Sequence, residues 1–398
     1  MLEYWTDGIE KHPLMANRPP NSGTSESEKS KNVSPVLITT VAELEAVAAR
    51  LISADAVAVD TEFFWERTFY PILGLVQLAV RDGSCWLIDP LSIKDLSALA
   101  PVMASPSVIK VLHDAPQDLG ILARATGATP RSIFDTRIAS GFAGHGATTS
   151  LQTLLREVLG IDLAKEETRS NWLQRPLRTN QLRYAADDVL HLLDLRDRLQ
   201  AACASDMVRG WLAEEMKRLD DPAFFQDRDP RLMYLRVKGS LRLNAAELAV
   251  LREVAAWREE EARMRDWPRG HVLPDNLLVT LAHRKPSSLA ALTEIPDMPR
   301  NMPEEVMADL LDAILRGQAV PADEYPRPAG EGTKPSVKNR ATRILAQLSS
   351  ACAPYNIDPA LVAARTELES FLNLHNQGAA AEHSFATGWR KAFISECQ

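Results

Sequence analysis

Cysteine is scarce here, four residues in a chain of 398. Cys85, Cys203, Cys352 and Cys397 stand far apart and in no paired spacing. That excludes a disulfide-stapled scaffold and a zinc site built from cysteine pairs, and it points to a reducing, cytoplasmic setting. Long apolar runs are also missing. No stretch approaches the roughly 18 residues that a membrane helix needs, so no membrane partner is expected. The opening residues, MLEYWTDGIEKH, lack the basic region and apolar stretch of a secretory signal, and either Met1 or Met15 could be the true start. Positive charge is not in excess. Lys and Arg number 45 against 53 Asp and Glu, a net charge of −8, which argues against a broadly basic nucleic-acid-binding surface. A net charge hides its distribution, however, and a site built on carboxylates begins with an acidic centre. What remains is the balance of a soluble globular protein: 45% hydrophobic and 25% charged residues, long enough for two or three domains.

Composition shifts divide the chain. Residues 1–34 are polar and turn-rich and are expected to form a disordered tail. Residues 35–205 read as the first domain. Thr40 and Glu43 form a capping-box pair ahead of a helix through Leu44, Val47, Ala48 and Leu51. Short β-rich runs follow at Ala56–Asp60, Gly74–Val80 and Cys85–Asp89, with Gly83 between the last two as a tight hairpin requires. A strand at Val108–Leu112 then alternates with helices after Gln117 and Ser150, and a longer helix spans Gln181–Leu199. Hairpin strands followed by strand–helix alternation predict a mixed sheet flanked by helices, the α/β pattern of a ribonuclease-H-like fold. A Rossmann fold suits less well, because no glycine-rich phosphate turn follows the first strand. Residues 206–235 read as a connecting segment, and helical periodicity takes over across 236–318. A Pro- and Gly-rich linker at 319–334 precedes a last small helical unit, 335–398.

Asp60-Thr61-Glu62 ends the first of these strands. Residues i and i+2 of a strand share a face, so both carboxylates converge on one spot. Like charges so placed repel unless a cation lies between them, although a lone D-x-E is ordinarily a solvated strand end. Asp118 follows the Val108–Leu112 strand at the start of a helix, where an acid also complements the helix dipole. Tyr184 and Asp188 are i and i+4 on the later helix and therefore neighbours, whereas Asp187 points elsewhere. Leu182, Ala186, Val189 and Leu193 provide that helix with a side for the core.

In order and spacing, DTEF at 60–63, FYPILGLVQLAV at 69–80, LIDP at 87–90, HDAPQDL at 113–119 and RPLRTNQLRYAADDV at 175–189 resemble ribonuclease D. The resemblance implies a metal-dependent 3′→5′ exoribonuclease of the DEDD type, tyrosine subclass, acting on RNA with a free 3′ end such as transfer-RNA precursors. It implies two divalent ions, Mg²⁺ or Mn²⁺. Asp60, Glu62 and Asp188 would hold one, and Asp60 and Asp118 the other, with Tyr184 positioning or helping to deprotonate the attacking water. His113 and Asp118 repeat the H-x-x-x-x-D spacing of the histidine subclass. They lie after a mid-domain strand, so His113 is read as structural or peripheral to substrate, and Asp135 as structural.

Phe63, Phe64 and Trp65 are candidates to stack on terminal bases, or else to pack in the core. Leu248-x-x-Leu251, Trp257-Arg258, Ala262-Arg263 and Pro286-x-x-Leu289-x-x-Leu292 resemble an HRDC module, and Leu361–Leu372 with Gly388-Trp389-Arg390 resembles a second one. Arg258, Arg263 and Arg265 are expected to belong to a basic RNA-holding surface, with a solvated helix face as the plainer alternative given Glu259, Glu260 and Glu261. A DNA exonuclease with the same site and a non-catalytic RNA scaffold are the competing functions. The four acids and the tyrosine weigh against the scaffold. A monomer is the expected state.

Overall fold

The structure, a computed structural model, describes residues 34–163, 170–225, 227–326, 334–378, 380–381 and 383–396. Residues 1–33 of the expected tail, Cys397 and residues 327–333 of the expected linker lie outside these described residues. Six strands form one sheet: β1 (Val36–Ile38), β2 (Ala56–Phe64), β3 (Ile72–Ala79), β4 (Cys85–Ile88), β5 (Ile109–Leu112) and β6 (Ile133–Asp135). Their spatial order is β1-β4-β3-β2-β5-β6. β3 runs antiparallel to both β2 and β4, while β1 joins β4, β5 joins β2, and β6 joins β5, in parallel. This is the mixed sheet that the hairpin-then-alternation pattern predicts. Ala56, Val57, Ala58 and Val59 are completely buried, as a central strand covered on both faces requires. The β3–β4 turn places Gly83 at φ 89°, a conformation that costs glycine nothing.

The capping box forms. Thr40 Oγ1 accepts from the Glu43 amide at 3.3 Å, and Glu43 Oε2 accepts from the Thr40 amide at 3.1 Å, opening α1 (Val41–Leu51). Helix α2 (Pro116–Thr126) follows β5. The long helix expected over Gln181–Leu199 is two: α3 (Thr179–Leu190) and α4 (Leu192–Ala202), parted where His191 leaves helical geometry at φ −110°, ψ −4°. β1 and β6 escape periodicity because three residues carry no period. Residues 206–218 are not a bare connection. They form α5 (Asp206–Arg218), capped by Ser205 and packed beside β6.

The next domain is built around α6 (Ala245–Arg265), which packs against α7 (Asp275–Arg284) and α8 (Glu304–Gln318). α6 is buried over most of its surface, and of its three consecutive acids only Glu260 faces solvent while Glu259 and Glu261 are buried. Glu259, 1% exposed, accepts from Arg269 at 2.7 Å and from Arg263 at 3.2 Å. Arg258 likewise turns inward, donating to the Leu273 carbonyl at 2.9 Å and to Asp275 at 2.8 Å. With 5% exposure it has no surface to offer RNA, and its expected role there is corrected to a structural one. The C-terminal residues form α9 (Pro335–Cys352), α10 (Arg365–Asn376) and α11 (Arg390–Glu396). They dock on α5 through Arg390 and the Trp389 indole, both donating to Glu215, and through the stacked rings of Trp211 and Trp389.

The loop after β2 crosses between domains. Phe69, 8% exposed, sits in the core of the α6–α8 domain with Leu251, Val254 and Leu281, and the Tyr70 amide donates to Asp266 at 2.9 Å. Losing a buried Phe side chain to Ala costs about 3–5 kcal/mol. Phe69→Ala is therefore expected to destabilise the protein by that order in urea unfolding followed by far-UV circular dichroism. An unchanged midpoint would mean that the loop merely rests on the surface.

Candidate active site

β2 delivers the first two acids. Asp60 and Glu62 lie on one face of the strand, and the register slips between Glu62 and Phe63, a bulge that re-aims the chain just beyond the second acid. α3 brings Asp188 over the same face. Carboxylate oxygens of Asp60, Glu62 and Asp188 all lie within 4.8 Å of one another. Tyr184, one turn earlier, donates its hydroxyl to Asp188 and rests near Trp172, with ring centroids 6.1 Å apart. Asp118 enters from the first turn of α2 and is bonded by the Thr61 hydroxyl. The convergence expected of Asp60, Glu62, Tyr184 and Asp188 is present, with Asp118 adjoining it through Thr61.

The acids crowd one another. Burial, and then Asp118, Asp188 and Glu62, push Asp60 well above the usual carboxylate range. Burial, then Asp188 and Asp118, push Glu62 up to about 9. Asp118 is raised to about 7 by burial, opposed by its bond from Thr61, and Asp188 to about 7 by burial and Asp187. Four carboxyls in one partly desolvated corner cannot all ionise unaided. Hard oxygen donors in this density are the donor set that a divalent cation takes.

Several residues that carry no chemistry hold this corner together. Asp135, expected to be structural, accepts from the amides of Asp114 at 3.1 Å, Ala115 at 2.9 Å and Arg137 at 2.8 Å. It thus ties the end of β6 to the turn that launches α2 and Asp118. His113 is lodged against Thr136 at 3.0 Å, with burial depressing it to about 4, in keeping with a structural place. Arg175 clamps the approach to α3. It makes two bonds to Asp89, at 2.8 and 2.7 Å, and also donates to the carbonyls of Gly74 and Trp172, each at 2.8 Å. A Cβ at Gly74 would lie 2.9 Å from that of Trp172, so only glycine lets this segment approach β3.

Sequence reasoning missed Thr61, Arg175 and Gln77. The alternation that aligns Asp60 with Glu62 also turns Thr61 to the other face, which was the available signal. Gln77 is fully buried, opposite Asp60 in the strand register, and its amide has no protein partner among the described residues. Only a buried polar residue inside an apolar strand pattern hinted at it. Of the expected substrate contacts, Phe63 and Phe64 are half-buried while Trp65 is 54% exposed. Arg263 lines a cleft beside Trp65, and Arg265 is paired with Glu261 at 2.7 Å.

Residues 35–203 match the model of a 3′–5′ exonuclease domain, and residues 247–314 match that of the HRDC domain. The chain is 39% identical to ribonuclease D of Desulfotalea psychrophila over 90% of its own length and 96% of the relative's. It is 39% identical to ribonuclease D of Pseudomonas paraeruginosa, covering 84% and 88% of the two chains. The chain belongs to the ribonuclease D family. Escherichia coli RNase D, described as an exoribonuclease involved in structured RNA processing, has a similar solved structure: TM-score 0.79 at 28% identity, covering 92% of this chain and 97% of that one. The catalytic core of Trypanosoma brucei RRP6 aligns over 72% and 81% of the chains at 25% identity, TM-score 0.55. As a ribonuclease D family member the chain is a 3′→5′ exoribonuclease, of a metal-dependent family, and the acidic cluster stands in its exonuclease domain.

The Asp89–Arg175 pair sets a stability test. Burial would raise Asp89, yet its bonds from Arg175, Leu91 and Ser92 hold it below 3.8. A carboxyl depressed on folding stabilises above its unfolded value and loses that contribution as pH falls through its folded one. Arg175→Ala, which strands a carboxylate 3% exposed, is expected to cost about 3–5 kcal/mol at pH 7 in chemical denaturation. The gap from the wild type should narrow below pH 3.8. A pH-independent gap would assign the loss to packing alone.

Proposed function

We propose that this ribonuclease D family member hydrolyses RNA from a free 3′ end by two-metal catalysis in the cytoplasm, maturing transfer-RNA precursors and other structured RNAs as a monomer. The reading rests on one observation above all: three carboxylates meet within 4.8 Å on a buried strand and an adjoining helix, with Asp118 beside them. Asp60, Glu62 and Asp188 would hold one divalent ion, and Asp60 with Asp118 the second, either Mg²⁺ or Mn²⁺. Bound ions in such sites supply positive charge where the attacking and leaving oxygens of an in-line displacement become negative.

The remaining work falls to the chain. Thr61 orients Asp118, and Tyr184 orients Asp188 while setting its hydroxyl beside the place where water must stand. The water adds to phosphorus as the bond to the preceding nucleotide's 3′ oxygen breaks. That oxygen leaves as a new 3′ hydroxyl, and a nucleoside 5′-monophosphate departs. Trp65 is the strongest of the three aromatic candidates for base stacking, because its ring is the most open.

Loss of an outer hydrogen-bond partner of a metal ligand typically costs about 10–100-fold, and loss of the ligand itself should cost more. Asp60→Asn and Asp188→Ala are therefore expected to lower 3′ shortening of 5′-labelled RNA by more than about 100-fold while RNA binding is kept. Shortening should need Mg²⁺ or Mn²⁺ and fail on 3′-phosphate-blocked RNA. Wild type that binds RNA but never shortens it would transfer the reading to a scaffold, and equal shortening of single-stranded DNA would undo the RNA preference. Independently, Mn²⁺ at 100 times its Kd should stabilise the folded protein by about 2.7 kcal/mol. That thermal shift should vanish with chelator and in Asp60→Asn; a shift retained in Asp60→Asn would place the ion elsewhere.

A further inference from the structure

A cavity of about 430 Å³ opens where the exonuclease domain meets the HRDC domain. One wall is the face of α2 that carries Gln117, Gly120 and Arg124, at helical spacings of three and four. Gln117 directly precedes Asp118, so the helix that brings Asp118 to the acidic corner also walls this cleft. Trp65 stands at it with half its surface open, and Arg124 lies 3.4 Å above the Tyr70 ring in the wall.

The cleft's charge runs against the chain's net −8. Five arginines line it with two acids, and both acids are already engaged. Glu259 accepts from Arg263 and Arg269, and Asp227 accepts from the Tyr70 hydroxyl at 2.7 Å and from Arg124 at 3.2 Å. Arg228 and Arg236, both exposed, are left with no acidic partner among the described residues. Unneutralised guanidinium groups beside an open indole suit a strand of alternating phosphates and bases. The volume is within the range of sites that enclose a molecule of nucleotide size.

We propose that this cleft binds the nucleotides immediately 5′ of the scissile one, with Arg228 and Arg236 meeting phosphates and Trp65 carrying a base. The proposal rests on the exoribonuclease reading above and extends it to the path of the strand. It also assigns the junction between the two domains, rather than the outer surface of the HRDC helices, as the first holding point.

Gly120 provides the test. A Cβ built there meets nothing within 4 Å, so Gly120→Leu places bulk in the cleft without a clash at its first atom, at a helix position where Leu is the better former. The expected result is a KM for 5′-labelled hexauridylate raised about tenfold or more. Manganese-dependent hydrolysis of bis(p-nitrophenyl) phosphate, too small to reach the cleft, and the unfolding midpoint should both be retained. Arg228→Glu with Arg236→Glu should flatten the dependence of log KM on log salt by roughly 0.7 for each phosphate that no longer meets an arginine. An unchanged KM and salt slope would remove the cleft from the RNA path. Equal losses on hexauridylate and the small ester would place its effect in the catalytic corner instead. Anisotropy of fluorescein-labelled hexauridylate in an Asp188→Ala background separates the two readings. Binding lost with Gly120→Leu there supports the cleft even if wild type cleaves nothing, and binding kept overturns it even if wild type cleaves normally.

Discussion

Carboxylates packed into one partly desolvated corner repel one another, and most of the exonuclease domain is arranged to resist that repulsion. β2 is rigid because Ala56–Val59 are sealed between β3 and β5, so Asp60 and Glu62 cannot splay apart as strand-end acids in solvent would. Asp188 is brought over them by a helix whose approach is pinned by Arg175 and Asp89. Asp118 is restrained twice, by the Thr61 hydroxyl and by the Asp135 network under its turn. The raised carboxyl pKa values record first the burial of these groups and, for Asp60 and Glu62, the other carboxylates of the corner as well. A divalent cation held there would relieve the repulsion, so the same confinement suits the corner to such an ion.

How far the sequence discloses this depends on the range of each interaction. Strand periodicity aligns Asp60 with Glu62, and helical periodicity aligns Tyr184 with Asp188, because both are local geometry. That the two pairs meet is not local, and the order and spacing of the DTEF, HDAPQDL and RYAADDV segments supplied it through resemblance to a family. The Arg175–Asp89 clamp spans 86 residues and has no periodic trace. Gln77 differs again, since its polarity stands out in an apolar strand but nothing local says which way it faces.

Arg258 shows the opposite failure. Arg258, Arg263 and Arg265 share one helix, and composition alone suggests a solvated or RNA-facing stripe. Most of α6 is buried, and only its last turns, around Glu260 and Met264, stay open. Arg258 is consumed by Leu273 and Asp275, and Glu259 by Arg263 and Arg269, so these charges mainly organise the helical domain's interior and its rim. The arginines left without acids, Arg228 and Arg236, lie on the segment before α6, where no regular pattern draws attention to them.

The strand that carries Asp60 and Glu62 continues without interruption into the loop that seats Phe69 among Leu251, Val254 and Leu281. Catalytic domain and helical domain are thereby not interchangeable modules on a string. The helical domain completes its own core with a residue borrowed from the nuclease, and the nuclease leaves a bare aromatic ring if parted from it. An exchange of either half for a foreign counterpart would have to carry the other's share of this joint along, or leave Phe69 without its pocket.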